Sequence, residues 1–275
     1  MTYHLLRQQI LRELSPFLGP IEVQQEVRRW FADGLGIEPA WLAQHGANSV
    51  PDALARKVRA WLKRRLDGEP WALILGWTTF CGRPFKVSRG VLIPQITSET
   101  IVNIALEVGL ALGVRRCVDV GAGVGNIGLT LALATDWELL LTELDPAALK
   151  LARANGRSLR AKARYVVGDL LQAVPDPIEL VVANMPFEDV SQAVSLEADF
   201  NFEPAIVVPA PEGGIGLSTA LLGQARERAA LACVVQIGAG QGRELRSRTL
   251  DQGWSKVAVI QDARGQDRLI VVRSR

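Results

Sequence analysis

Apolar residues in the first 70 positions recur at helical spacing between breakers. An opening segment ends near Pro16 and Gly19, a second spans Ile21 to Phe31, and a third runs from Asp52 to Leu66. The third is the most regular. Leu54, Val58, Trp61, Leu62 and Leu66 fall on one face, and Arg56, Arg59, Lys63 and Arg64 on the other, which predicts an amphipathic helix. Its basic face is either a solvated surface or a docking surface for an acidic or RNA-associated partner. From Trp71 to Val87 the residues turn aromatic and β-branched, with Gly76 and Gly82 as turn positions, and a short hairpin is expected. Beyond it the periods alternate. Ser98 is placed to cap a helix whose Ile101, Val102, Ala105, Val108 and Leu112 form a stripe. Short apolar strands follow at Cys117 to Val120, Leu139 to Thr142, Tyr165 to Val167, Leu180 to Ala183, Ala232 to Ile237, Val257 to Ile260 and Leu269 to Val272.

Strands alternating with helices predict a mostly parallel, doubly wound α/β sheet of seven strands covered on both faces. The last two strands are separated only by Gln261 to Arg268, too short for a helical crossover, so they should pair antiparallel. The expected division is a helical domain over 1–70, a hairpin linker over 71–90 and a Rossmann-like domain over 91–275.

The chain has 275 residues, 48% hydrophobic and 22% charged, which excludes a disordered or fibrous protein. Cys81, Cys117 and Cys233 are far apart and odd in number, so reduced, buried thiols in a cytoplasmic protein are expected. With only two histidines besides, no metal site is expected. Arg7, Arg12 and Glu13 interrupt the N-terminal apolar residues, so no signal peptide is expected, and no apolar run approaches the roughly 18 residues of a membrane span. The net charge of +2 averages two unlike parts. Residues 1–90 hold 13 Lys and Arg against 8 Asp and Glu, whereas residues 91–275 hold 18 against 21. A nucleic-acid partner is disfavoured, because the basic excess is small and no recognition module accompanies it.

The chemistry concentrates at predicted strand ends, where such a sheet binds ligands. The first strand runs through Val118, Asp119 and Val120 into Gly121, Ala122, Gly123, Val124, Gly125, Asn126, Ile127 and Gly128. Gly123 to Gly128 also fits the dinucleotide pattern, which alone is weak evidence. Asp119 discriminates: a carboxylate there repels a pyrophosphate but attracts the charged amino group of S-adenosyl-L-methionine. Glu143 ends the next strand, 22 residues beyond Gly121, where a carboxylate can accept from both ribose hydroxyls. Asp169, followed by Leu170, suits an adenine amino group and ring.

The fourth strand ends in Ala183, Asn184, Met185, Pro186 and Phe187. With these residues, and with Gly68, Glu69, Pro70, Trp71, Ile74, Leu75, Gly76, Phe80, Gly82 and Phe85 upstream, the chain resembles the HemK/PrmC-type protein-(glutamine-N5) methyltransferases, which modify peptide chain release factors and, in one branch, a ribosomal protein. The resemblance covers nearly the whole chain and extends to Val91, Leu92, Ile93, Pro94, Glu203, Pro204, Gly213, Gly214, Asp262 and Asp267. It implies a class I S-adenosylmethionine-dependent methyltransferase fold with a small helical domain that helps grip a protein substrate. It also implies an Asn-Pro-Pro-Tyr motif in which the Asn side chain and the next carbonyl accept hydrogen bonds from the substrate amide, while the aromatic ring packs against it.

On that resemblance the catalytic residues are Asn184, Met185, Pro186 and Phe187. The cofactor-binding residues are Asp119, Gly121, Ala122, Gly123, Gly125, Asn126, Glu143, Leu144, Asp169, Leu170 and Asn184. Two departures fall on the substrate side. Met185 and Phe187 stand where the family has Pro and Tyr, and Gln95, Ile96, Thr97, Ser98 and Glu99 replace Arg-Pro-Glu-Thr-Glu. The expected acceptor is therefore a release factor or another translation protein. A small-molecule nitrogen or oxygen nucleophile, or cofactor binding with little transfer, stay open as alternatives. Gly238, Gly240 and Gly242 read as a tight turn, and the tryptophans from Trp30 to Trp77 as core and interdomain packing.

Overall fold

The computed structural model describes residues 1–187, 212 and 214–274. It divides into two compact units, Met1–Gly76 and Trp77–Arg275. The first unit contains α1 (Tyr3–Leu14), α2 (Pro20–Arg29), α3 (Pro39–His45), α4 (Asp52–Leu66) and α5 (Trp71–Leu75), with a π-helical turn at Trp30–Gly34. α4 spans the predicted residues, and its Val58, Trp61 and Leu62 are buried. They meet Leu6, Ile10, Val27 and Trp30 in one apolar core. Trp30 stacks on Trp71 with ring centroids 4.4 Å apart, and Trp61 meets both rings edge-on.

Trp71–Leu75 corrects the expected hairpin boundary. The five residues form a helical turn between Pro70 and left-handed Gly76, a stop and start that outweigh their aromatic and branched character. Arg64 also departs from the predicted solvated face of α4. It turns back onto Glu69, which is 2% exposed, with nitrogen–oxygen distances of 2.6 and 2.8 Å, and that bond raises the arginine pKa against the opposing effect of burial. Arg65 similarly reaches buried Glu26 across the core at 2.8 Å, and Glu26 accepts from Trp30 Nε1 as well. Both carboxylates thus enter the core already paired.

In the second unit β1 (Trp77–Phe80) and β2 (Arg83–Lys86) form the hairpin. Cys81 and Gly82 both take positive φ, as a two-residue turn between right-twisted strands requires. Cys81 is half-exposed there, unlike Cys117 and Cys233, whose thiols burial pushes well up. After it come α6 (Glu99–Leu112), β3 (Arg116–Val120), α7 (Asn126–Ala134), β4 (Glu138–Glu143), α8 (Pro146–Leu159), β5 (Arg164–Val167) and β6 (Leu180–Ala183). The remaining elements are α9 (Gly216–Glu227), β7 (Ala232–Gln236), α10 (Gly242–Asp251), β8 (Lys256–Gln261) and β9 (Asp267–Arg273).

Among the described residues one seven-stranded sheet forms, in the order β5-β4-β3-β6-β7-β9-β8. It is parallel except for β9, which runs antiparallel to both neighbours. Alternate residues feed opposite layers. Leu180, Val182, Ala232 and Val234 face the layer built with α6 and α7, whereas Val181, Ala183, Cys233 and Val235 face the layer that includes α9 and Leu245 of α10. Burial on both faces explains why the strands read as unbroken apolar runs.

Arg65 and Glu26 make the first unit open to test. Arg65→Met leaves Glu26 buried without its cation and should cost about 3 kcal/mol in urea unfolding, whereas adding Glu26→Gln should recover most of that loss. Equal stability of the single and double variants would assign the loss to packing instead.

Candidate active site

β3 and β6 lie side by side, while β4 and β5 continue the sheet in one direction and β7 in the other. The strand order therefore reverses between them, and the loops after β3 and β6 lie at the C-terminal ends of this switch point, where sheets of this kind bind ligands. From the end of β5 to the end of β6 is three strand spacings, about 14 Å.

The loop after β3 is a run of left-handed turns, with φ of 68° at Gly121, 53° at Gly123 and 82° at Gly125, a path that side chains resist. Its N–H groups are held by β4. Gly121 and buried Ala122 both donate to the Thr142 carbonyl, at 2.9 and 3.1 Å, and Gly123 donates to Glu143 Oε2 at 2.8 Å. The other Glu143 oxygen accepts from Asp145 N at 3.0 Å. Each oxygen keeps lone-pair capacity for one more donor. Asn126 then opens α7, where its carbonyl accepts from Thr130 Oγ1.

Asp119 sits beneath this loop, 1% exposed. Its Oδ2 accepts from Gly128 N at 2.7 Å, and its buried Oδ1 has no partner among the described residues. Burial pushes its pKa from 3.8 up to about 7, the Gly128 bond opposes that, and the charge of Glu143 adds to it. A cation over the loop would favour the ionised form. The acceptors here, one buried carboxylate with an unpaired oxygen and one half-buried carboxylate fixed by backbone, suit a ligand that brings a charged amine and hydroxyl donors.

At the end of β5, Gly168 N donates to the Glu143 carbonyl. Asp169 is exposed and accepts from Gln172 Nε2 at 3.2 Å. Leu170 takes a φ of 47° and packs against the sheet's apolar layer, while Leu144 is 65% exposed. The residues predicted for a nucleoside ligand therefore lie at the ends of three adjacent strands.

Past β6, Asn184 Nδ2 donates to Ser98 Oγ at 3.1 Å. Ser98 is 1% exposed and makes no side-chain cap bond to α6, contrary to expectation; its hydroxyl goes to Gln236 Oε1 at 3.0 Å. The Met185 side chain turns inward, 5% exposed, and joins the layer under Gly121. Pro186 and Phe187 are half-buried. Gln241, within the stretch read as a tight turn, was not legible as part of this site. Its Nε2 donates to the Phe187 carbonyl at 2.7 Å, and its Oε1 accepts from Gly238 N at 2.7 Å. Gly214, at φ 86°, passes so close to that carbonyl that a Cβ would collide with it. Glu203, Pro204 and Gly213 lie outside the described residues. Glu99 is taken up structurally, accepting from Cys81 N at 2.6 Å. Among the described residues no cluster of metal-ligating side chains forms, and no helix is long and apolar enough to cross a membrane.

Comparison with known proteins adds independent findings. The PrmC N-terminal domain model matches residues 9–76, and the methyltransferase small domain model matches residues 104–203. A release factor glutamine methyltransferase of Cereibacter sphaeroides is 30% identical over 93% of this chain and 92% of its own length. One from Bordetella pertussis is 33% identical over 70% of this chain and 73% of its own. Among solved structures, the N-terminal domain of human METTL16 in complex with SAH superposes with a TM-score of 0.52 at 17% identity, covering 82% of this chain and 83% of that one, a likeness of fold.

Asp119 gives a pH signature. Its folded pKa is raised, so between about pH 4 and pH 7 the native state holds a proton that the unfolded state has lost. The stability it lends is complete below pH 4 and is lost as pH rises through about 7. Asp119→Asn removes the titration, so its unfolding free energy relative to the parent, measured in urea, should climb between pH 4.5 and pH 8 by an amount on the order of a few kcal/mol. A pH-independent difference would assign the titration to another group.

Proposed function

Because the chain belongs to the release factor glutamine methyltransferase family, we propose that it methylates the side-chain amide nitrogen of a glutamine in a peptide chain release factor. It is an S-adenosylmethionine-dependent methyltransferase of the class I fold. When bound, that cofactor supplies a methyl group made electrophilic by the positive sulfur to which it is attached.

In this reading the carboxylate of Glu143 takes the ribose hydroxyls and Asp169 the adenine amino group, with Leu144 and Leu170 against the ring. The glycine loop from Gly121 to Gly125, with Ala122 and the start of α7 at Asn126, lets the backbone approach the cofactor closely, and Asp119 beneath it favours the positive charge above. These assignments rest on the strand-end positions and on the carboxylate geometry around Gly123 and Gly128.

An amide nitrogen is a poor nucleophile because its lone pair is delocalised into the carbonyl. Two acceptors facing its hydrogens fix its direction and favour the positive charge that develops as the new bond forms. Asn184 Oδ1 and the Met185 carbonyl fill those roles, Pro186 stiffens the turn, and Phe187 packs against the acceptor chain. The observation that carries the reading is the seating of this segment beside the glycine loop, with the Met185 side chain buried under Gly121. Replacing the family's Pro by Met therefore changes a group in the core and keeps a carbonyl at residue 185. The same reading places the protein in the cytoplasm, with its acceptor.

With a labelled methyl donor, purified release factor and a metabolite extract offered in parallel, label should appear on the glutamine of a Gly-Gly-Gln sequence. A labelled small molecule would overturn the assignment of acceptor. Asn184→Ala should lower kcat by at least about 100-fold while cofactor affinity, measured by calorimetry, stays unchanged. Parallel loss of cofactor binding would assign Asn184 to the cofactor, as the sequence also allowed, or to the fold of the site, and would overturn its separate role toward the acceptor.

A further inference from the structure

The side-chain amide of Asn184 can do its proposed work in only one of its two orientations. Oxygen and NH2 are nearly equal in size, so rotation by half a turn about the last bond exchanges an acceptor for a donor at little steric cost. With the oxygen toward the acceptor site, it meets the hydrogens of a substrate amide. With the NH2 there, two donors face each other.

Two residues outside the motif fix that choice. Gln236 is the last residue of β7, and the pairing of Ala183 with Val235 puts Asn184 and Gln236 one step beyond the same rung. Ser98 lies against both and is 1% exposed. A hydroxyl carries a single hydrogen. Gln236 presents Oε1 and takes it at 3.0 Å, which leaves Ser98 Oγ only lone pairs for Asn184, and the asparagine turns its Nδ2 toward Ser98, at 3.1 Å. Its Oδ1 then faces away from Ser98. Gln236 is 8% exposed, so the relay is largely shielded from water that would supply alternative partners.

We propose that Ser98 and Gln236 are positioning residues that lock the Asn184 amide with its oxygen toward the acceptor, making the site selective for a nitrogen that carries hydrogens. The inference rests on the role given to Asn184 above. Ser98 stands in right-handed helical geometry at the end of a 3-10 turn, where it does not cap α6, and its side chain is used by Gln236 and Asn184 instead.

The test compares Ser98→Ala, Ser98→Thr, Gln236→Leu, Asn184→Ala and the double variant Ser98→Ala/Asn184→Ala on release factor. Ser98→Ala and Gln236→Leu should each lower kcat by roughly tenfold to 100-fold with unchanged cofactor affinity, and Ser98→Thr, which keeps the hydroxyl, should restore it. The double variant should be no slower than Asn184→Ala, because the lock has nothing left to orient. A loss that merely reflected weakened structure would add to that of Asn184→Ala and would overturn the proposal. So would full activity of both Ser98→Ala and Gln236→Leu beside an inactive Asn184→Ala, an outcome that leaves the role of Asn184 standing. An active Asn184→Ala would remove that role and the lock with it. If the alanine variant at 98 fails to fold, Gln236→Leu, with Ser98 intact, decides the matter through the same comparison.

Discussion

A glycine-rich turn that leaves a parallel strand has neither a ladder nor a helix to take its N–H groups, so something else must hold it. Here the Thr142 carbonyl of β4 takes Gly121 and Ala122, and two carboxylates take two more of the N–H groups. Glu143 accepts from Gly123, and Asp119 accepts from Gly128 where α7 begins. Both bonds span strands or elements fixed by the buried sheet, so the loop inherits the rigidity of the core. The arrangement also sets the electrostatics. Asp119 is buried without a cation, and its pKa is therefore pushed up to about 7. The strain of keeping a carboxylate there is most relieved when positive charge sits above the loop.

The loop after β6 faces the same problem and meets it with neutral groups. Asn184 is tied to Ser98, the Phe187 carbonyl is tied to Gln241, and Gly214 leaves room for that carbonyl. The supporting residues come from the start of α6, the approach to α9 and the turn before α10, so three distant parts of the chain converge on four consecutive residues. On the proposed function, neutral partners suit a place where an uncharged amide is to be held. A charged side chain there would compete with the hydrogen-bond polarity that the amide needs. The two loops thus differ in kind, one held in part by carboxylates and the other by neutral dipoles, and the proposed function puts the methyl donor beside the first and the acceptor beside the second.

Much of the sheet was legible in the sequence, because strands buried on both faces leave short apolar runs and each predicted run became a strand with its ends shifted by at most two residues. α4 was legible because its stripe is regular. α3 was not, since Pro39–His45 buries none of its residues and leaves no apolar period to find. Trp71–Leu75 was misread because a five-residue apolar run looks alike in either state, and its signals were the flanking Pro70 and Gly76. Asp119, Glu143 and Asn184 were legible as polar residues in or just after strands, because a carboxylate or an amide stands out against an apolar run. The bonds that Ser98, Gln236 and Gln241 make around this segment were not legible, because they join residues 54 to 138 positions apart, which no local pattern encodes.

The departures from the family pattern look different once each residue has a place. Gln95, Ile96 and Thr97 are exposed, and Ile96 is 80% so. Of the same five positions, Ser98 and Glu99 are the ones that bear on the rest of the structure, one through Asn184 and the other through the hairpin turn at Cys81. Ser98 stands where the family has Thr, which keeps a hydroxyl, and Glu99 is retained. The change is therefore confined to side chains that face outward beside the switch point, while the groups that hold its loops keep their chemistry. Two lost charges at exposed positions leave no buried partner unpaired, so the cost to the fold is small. What they alter is the surface that an incoming acceptor chain would meet. Met185 follows the same division: its side chain varies inside the core, where an unbranched thioether adapts to the space, and its carbonyl belongs to the backbone.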